Sequence, residues 1–418
     1  MVRCGVGRDM MGVFATSQEA VKTMPGLRRD NARKILATMA IVAAALPGAG
    51  QTKAASHSPE RPQIIAYIFP RDHVIQPGEV AATKLTRINY AFANIQDGRI
   101  VAVSPADAPN FATLVALRQQ NPSLQVLVSV GGWLWSGNFS DMALTRASRA
   151  RFIDSVVAFV RRYKLDGLDI DWEFPGQVGA GNRFRAEDKQ NYTLLLLELR
   201  RRFDREQRVL GRRLLLSVAA GAGDDFLEHT QMARVAREVD TVNLMAYDFY
   251  EPDSDKITGN HAPLYNDPAD PKGMSADESV RDFERAGVPA RKIVLGVPFY
   301  GHMWGNVGPT NHGLFQPGSP VPHAYAHYQD IASTLLQHGF TRYWDASASV
   351  PYLYNERTKQ FVSYEDPVSL AVKCAYVRRE GLGGVMFWEY TADPSGTLLD
   401  TINRAFSAEN SAYARGGQ

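Results

Sequence analysis

Eight short apolar runs punctuate the chain, separated by stretches in which charged and apolar residues alternate with helical spacing. The runs are QIIAYIF (63–69), RINYAFANI (87–95), LQVLVSV (124–130), DGLDIDW (166–172), RLLLSVA (213–219), TVNLMAY (241–247), KIVLGVP (292–298) and GGVMFWE (383–389). Strands this continuously apolar must be covered on both faces, which is the condition of a parallel sheet flanked by helices. RASRARFIDSVVAFVRRYK (146–164) and KQNYTLLLLELRRRFDREQ (189–207) supply the helical pattern on either side of the fourth run. Eight strand–helix units predict an α/β fold, a closed (β/α)8 TIM barrel, with its active site at the C-terminal ends of the strands. A doubly wound open sheet is the alternative. No glycine-rich loop follows the first run, which counts against a nucleotide-binding version. The interval between the seventh and eighth runs is too long for one helix. YWDASASVPYLYNERTKQFVSYED (343–366) alternates aromatic and polar residues between turns, predicting a small α+β insertion over about 302–364. DPVSLAVKCAYVRREG (366–381) then reads as the next barrel helix. The barrel is expected over residues 61–405, with 406–418 as a tail.

The fourth run carries the chemistry. In DGLDIDWEFPG (166–176), Leu168, Ile170 and Trp172 alternate with Asp169, Asp171 and Glu173. On a strand the three acids share one face and the three apolar side chains share the other. Pro175 and Gly176 end the strand. A solvated face is the ordinary reading of a charge run, but the apolar opposite face argues for burial. A calcium loop would need Gly at its sixth position and Glu at its twelfth, where this stretch has Asp171 and Gln177. A magnesium site at a strand end remains an alternative. Three carboxyls this close cannot all ionise cheaply, so at least one should keep a proton near neutral pH. Such a carboxyl can serve as a general acid.

Composition narrows the partners. The 418 residues carry a formal net charge of +2, and the first fifty hold seven Lys and Arg against three acids. Without them the chain is slightly acidic, which gives no sign of nucleic acid or an anionic membrane as partner. That segment has the layout of a secretory leader: basic RRDNARK (28–34), apolar ILATMAIVAAAL (35–46), then small residues in PGAGQTKAAS (47–56). The apolar run is too short to span a bilayer. Residues 1–50 are therefore expected to be a signal removed on export, with Met24 as the true start, 51–60 as a linker, and the mature protein secreted or periplasmic. Cys4 lies in the leader and leaves Cys374 alone, so no internal disulfide is expected. The sequence calls for no cofactor and no metal, and oligomeric state is not legible in it.

With these motifs in place, the chain from about residue 61 to 405 resembles glycoside hydrolase family 18, the chitinases and their relatives. DGLDIDWE fits the family's DxxDxDxE motif, SVGG (129–132) its SxGG motif and LMAYDF (244–249) its MxYD motif. VLGVPFYG (294–301) and the tryptophan of GVMFWEY (384–390) match the seventh and eighth strands. The resemblance implies that Glu173 protonates the glycosidic oxygen. It implies that Asp171 holds the substrate's N-acetyl group and shares a proton with Asp169, and that Tyr247 contacts the acetamido carbonyl. Met245, Asp248, Tyr300 and Tyr67 are implied to line the sugar site, with Trp388 as its floor and Trp133 as a stacking platform on the leaving-group side. Ser129 and Tyr67 are implied partners of Asp169, while Asp166, Gly131 and Gly132 are implied structural. His302 stands where the family often has Arg, which puts one contact at the groove's edge in question. The implied activity is retaining, substrate-assisted hydrolysis of β-1,4-linked N-acetylglucosamine in chitin. Alternatives are an endo-β-N-acetylglucosaminidase, a peptidoglycan-directed hydrolase, and a chitin-binding lectin, which would be expected to lack Glu173.

Overall fold

Strand β1 (Gln63–Ile68) pairs in parallel with β2 (Arg87–Gln96) on one side and with β8 (Gly384–Trp388) on the other. The ring continues through β3 (Gln125–Gly131), β4 (Gly167–Asp171), β5 (Leu215–Gly221), β6 (Thr241–Met245) and β7 (Ile293–Pro298) back to β8. Every neighbouring pair is parallel, so the sheet closes into the eight-stranded barrel that the repeating runs predict. The computed structural model describes residues 62–407; the expected leader (1–50), linker (51–60) and most of the tail lie outside the described residues.

The strands form two layers of contact. Their outward side chains, among them Ile88, Val128, Leu168, Ile170, Leu216 and Leu295, are buried against the surrounding helices. The helix Arg146–Tyr163 begins at a Thr145–Ser148 capping box and ends at Lys164 in the left-handed region. These features satisfy terminal backbone groups where the chain must turn back to β4. The helix Asp188–Leu210 stops at Gly211, also left-handed. Trp172, at the end of the acidic row's apolar face, stacks on Phe139 at 5.1 Å and meets Tyr192 edge-on at 5.9 Å.

Two departures from the sequence reading have local causes. β2 runs on to Gln96 and folds back through Asp97–Gly98 onto the strand Arg99–Val101. The Asp-Gly pair with positive φ at both positions is the hairpin signal that the reading passed over. β6 stops at Met245 rather than Tyr247, because Ala246 N bonds locally to Leu244 O. Tyr247 and Asp248 therefore sit on a loop at the barrel rim.

Between β7 and β8 the chain builds a five-stranded antiparallel sheet in the spatial order 319–327, 300–305, 360–363, 350–355, 341–345. Its first strand, Tyr300–Gly305, leaves β7 after Pro298 and Phe299, so the sheet rises from the C-terminal rim. Cys374 is buried on the helix Pro367–Arg379, where its thiol is pushed up to about 12, first by burial. Among the described residues, no helix is long and apolar enough to cross a membrane.

Candidate active site

Register places the polar interior. Ser129, Asp169 and Ser217 are direct neighbours across β3, β4 and β5. All three point into the barrel, where each is wholly buried. Asp169 accepts from Tyr67 Oη at 2.9 Å and Ser129 Oγ at 2.7 Å on one oxygen. Its other oxygen accepts from Ser217 Oγ at 2.6 Å and Asn243 Nδ2 at 3.1 Å. Burial pushes this carboxyl up, and the bonds from Ser217, Ser129 and Tyr67 oppose it. Ser217 and Asn243 escaped the sequence reading, although a lone polar residue inside RLLLSVA or TVNLMAY is a usable signal.

Asp171, two residues toward the rim, has no such support. It is 4 % exposed, and its Oδ1 is buried without a hydrogen-bond partner. No hydrogen bond joins it to Asp169, so the shared proton implied by the resemblance is not a bond in this arrangement. Burial, then the charges of Glu173 and Asp169, hold Asp171 well above the usual carboxylate range. Glu173 is pushed up to about 8, first by burial and then by Asp248 and Glu251. The outermost carboxyl of the row thus keeps its proton at neutral pH, as a general acid requires.

The glycines of SVGG explain themselves sterically. A Cβ on Gly131 would sit 2.1 Å from the carbonyl oxygen of Asp171, and φ there is +109°. That proximity lets Gly132 N bond Asp171 O at 2.8 Å. Ser136, another residue the sequence reading missed, donates its hydroxyl to Gly132 O at 2.9 Å and accepts from Glu173 N at 2.9 Å. The loop after β3 thereby fixes the backbone of the acid. Asp166 lies at the other end of β4, where Arg212 Nη1 at 2.8 Å and Val126 N at 2.7 Å hold its carboxylate.

Above this row opens a groove of about 650 Å³ that is lined by Asp171, Glu173, Tyr67, Met245, Tyr247, Asp248, Tyr300, Trp133 and Trp388. Gly131 also reaches it, while Ser129 and Asp169 lie beneath. Trp388 stacks on Phe92 at 5.4 Å and packs against Phe69 at 5.8 Å, so its indole is braced as a floor. Trp133 is 51 % exposed at the rim and meets Phe174 edge-on at 6.4 Å. Phe69, Phe92, Trp135, Phe174 and Tyr325 add aromatic wall that the sequence motifs did not single out. Such walls favour sugar rings, whose axial hydrogens pack on aromatic faces.

The last cluster surrounds Asp248, whose φ is +61°. Its Oδ1 accepts from Tyr300 Oη at 2.6 Å and lies 2.8 Å from His302 Nε2 and 3.5 Å from His261 Nδ1. Burial works to raise Asp248, but His261 and His302 outweigh it and hold the carboxyl well below its usual range. His261 is itself pushed down to about 4 by burial, so it is neutral and too distant for a good hydrogen bond. The close partner, His302, is the stronger support. His302 also corrects the sequence reading. It is 7 % exposed and belongs to the groove wall rather than its edge. Strand alternation puts Tyr300 and His302 on one face with Gly301 between them, and that face meets Asp248.

The profile of the family Glycosyl hydrolases family 18 matches residues 63–393. Chitinase A1 of Niallia circulans is 38 % identical over 385 residues, covering 78 % of this chain and 55 % of its own length. The chain thus spans about half of that relative. Among solved structures, a family 18 N-acetylglucosaminidase from Paenibacillus barengoltzii superposes with a TM-score of 0.76 at 39 % identity, covering 82 % of this chain and 99 % of that one. A mutant class V chitinase from Nicotiana tobaccum, in complex with NAG4, superposes with a TM-score of 0.75 at 28 % identity, covering 83 % and 99 %.

Proposed function

The chain belongs to glycosyl hydrolases family 18, and from that premise we propose that it is a chitinase, cleaving β-1,4-linked N-acetylglucosamine chains with the substrate's own acetamido group as nucleophile. The observation that carries the reading is Glu173, protonated to about pH 8, beside the unpartnered carboxyl of Asp171 on a groove floored by Trp388. Glu173 gives its proton to the glycosidic oxygen as the bond to the anomeric carbon breaks. The acetamido oxygen closes onto that carbon and forms an oxazolinium ion, the substrate-assisted route of this family. Asp171 faces the acetamido nitrogen and accepts a hydrogen bond from its N–H on the unpartnered Oδ1, which stabilises the positive charge that develops there. Tyr247 orients the carbonyl oxygen. Both act as preorganised electrostatics, which in comparable sites is worth about 3–4 kcal/mol per group. Water, deprotonated by Glu173, then opens the ring with retention.

The groove's other charges bear on substrate. Asp225, Asp248 and Glu251 join Asp171 and Glu173 along it, with His302 as the nearby base. This surplus of acids disfavours the carboxylates of a peptidoglycan strand and suits a neutral glycan. The retained Glu173 argues against a lectin. The basic and apolar segments of residues 28–46 support export, and N-terminal sequencing of exported protein should begin between Gln51 and His57.

Chitohexaose and a high-mannose glycopeptide, incubated separately and followed by mass spectrometry, test the substrate. Chito-oligosaccharide products with an intact glycopeptide are expected; the reverse pattern makes the protein an endo-β-N-acetylglucosaminidase. Proton NMR of the first product should show the β anomer, and an α anomer would mean direct attack by water.

A further inference from the structure

We infer that Asp248, His261 and His302 form a binding site for one divalent transition-metal ion of the imidazole-preferring class, zinc or copper, in the wall of the groove. Asp248 and His261 come from the long connection between β6 and the helix Ala276–Arg285, and His302 comes from the strand Tyr300–Gly305. Their ligand atoms, one from each side chain, all lie within 4.8 Å of one another. Two imidazoles and a carboxylate, with bonds of about 2.0–2.2 Å, are a common protein complement for zinc.

His261 supplies an independent sign. It is fully buried, and neither ring nitrogen has a hydrogen-bond partner. Burying an imidazole with both nitrogens unsatisfied is costly. Its Nδ1 points toward the carboxylate but stops 3.5 Å short. That separation suits two ligands sharing an ion, because ligand atoms about 2 Å from a tetrahedral metal stand about 3.3–3.5 Å apart. His302 Nε2, at 2.8 Å, needs only a small movement of Asp248 Oδ1 to reach the same spacing. The side chain of Asp248 is 34 % exposed, so an ion can enter from the groove and keep a solvent-facing position. Tyr300 Oη, donating to Asp248 at 2.6 Å, provides the outer hydrogen bond that ligating carboxylates typically receive. Arginine at position 302 could donate to Asp248 but has no lone pair for a metal, so His302 decides whether this chain has the site.

Ion binding needs nothing from the proposed hydrolase reading. Its consequence does rest on that reading: an ion on Asp248 occupies the sugar-binding wall, so it should block glycan entry reversibly.

Binding is therefore measured first, without substrate. Untagged, EDTA-treated full-length protein is titrated with ZnCl2 in a calorimeter, and with CoCl2 while visible absorption is recorded. One ion per chain is expected, with cobalt bands of four- or five-coordinate geometry. His302→Arg and His261→Asn should each weaken zinc binding by at least about tenfold, the lower end of what losing even an outer partner costs. His302→Arg is the decisive variant if the buried His261→Asn fails to fold. No zinc binding at millimolar concentration, or binding that His302→Arg leaves unchanged, overturns the proposal. If zinc binds as expected, chitohexaose hydrolysis should fall with the same midpoint in the wild type and recover with EDTA. Absence of hydrolysis in zinc-free protein would count against the chitinase reading and leave the site standing.

Discussion

The alkaline limb of the pH–rate profile should lie near pH 8 and should respond to Glu251. An ordinary glutamate titrates near about 4.3, so at pH 7 only about one molecule in 500 would carry the proton. With Glu173 pushed up to about 8, about nine in ten carry it at the same pH by the same titration arithmetic. The protonated form is the active one. Raising its pKa therefore extends activity upward, and kcat/KM should fall about tenfold per pH unit above the limb. Burial is the largest cause of the shift, followed by Asp248 and Glu251. Glu251→Gln removes the smallest of the three, so the limb should move to lower pH by much less than the whole displacement from an ordinary glutamate. Glu251 is exposed, so water and salt screen its charge. The difference between the wild type and Glu251→Gln should accordingly shrink at high ionic strength. The assay is kcat/KM from pH 4 to 10 on chitohexaose, at low and high salt. A nitrophenyl chitobioside serves as control, because its leaving group needs less protonation and its limb should be shallower. A limb already falling at pH 5, or one that rises in Glu251→Gln, would refute the assignment of Glu173 as a buried acid kept neutral by its neighbours.

Glu173→Gln should abolish turnover and also change the pH dependence of stability. The folded pKa is raised, so native stability is lost as pH climbs from the unfolded value through about 8, and the amide escapes that loss. Its Tm should exceed the wild type's by at least about 2 °C at pH 9 and match it at pH 4, checked by calorimetry. Gly131→Ala forces a Cβ to 2.1 Å from Asp171 O and 2.7 Å from Phe139 in a left-handed conformation. It should cost about 2–5 kcal/mol in urea unfolding and displace the end of β4, with activity falling in parallel. Ser217→Ala leaves Asp169 with three donors in place of four and should cost about 1.5–3 kcal/mol at pH 7. On chitohexaose it should lower kcat more than it raises KM, because Ser217 touches Asp169 and lies below the groove.

The barrel was legible because its signal is local and repeated. Each strand announces itself by apolar content, and eight of them separated by helical stretches leave few topologies. The acidic row was legible for the same reason: a period of two assigns Asp169, Asp171 and Glu173 to one face wherever the strand lies. Ends were less legible. β6 stops short of Tyr247 because Ala246 turns back onto Leu244 O, a single backbone bond that side-chain pattern does not encode.

What the sequence by itself determined is which residues share a strand face and therefore which can meet: the carboxyl row, the glycines after β3, the tryptophan on β8. What only the tertiary structure decided is the state of each group. Asp169 and Asp171 are the same residue type two positions apart, yet one receives four hydrogen bonds and the other has a buried oxygen with none. The difference lies in what the neighbouring strands present: Tyr67, Ser129, Ser217 and Asn243 surround Asp169, whereas two residues further along each of these segments stand Phe69, Gly131, Ala219 and Met245, none with a side-chain hydrogen-bond donor. His302 shows the same division. Its type could be read from the chain, but its place against Asp248 and His261 depends on how the strand Tyr300–Gly305 packs on the connection after β6. Burial and hydrogen bonding are set by what the fold brings around a side chain, and these set proton affinity and, as proposed, metal affinity too.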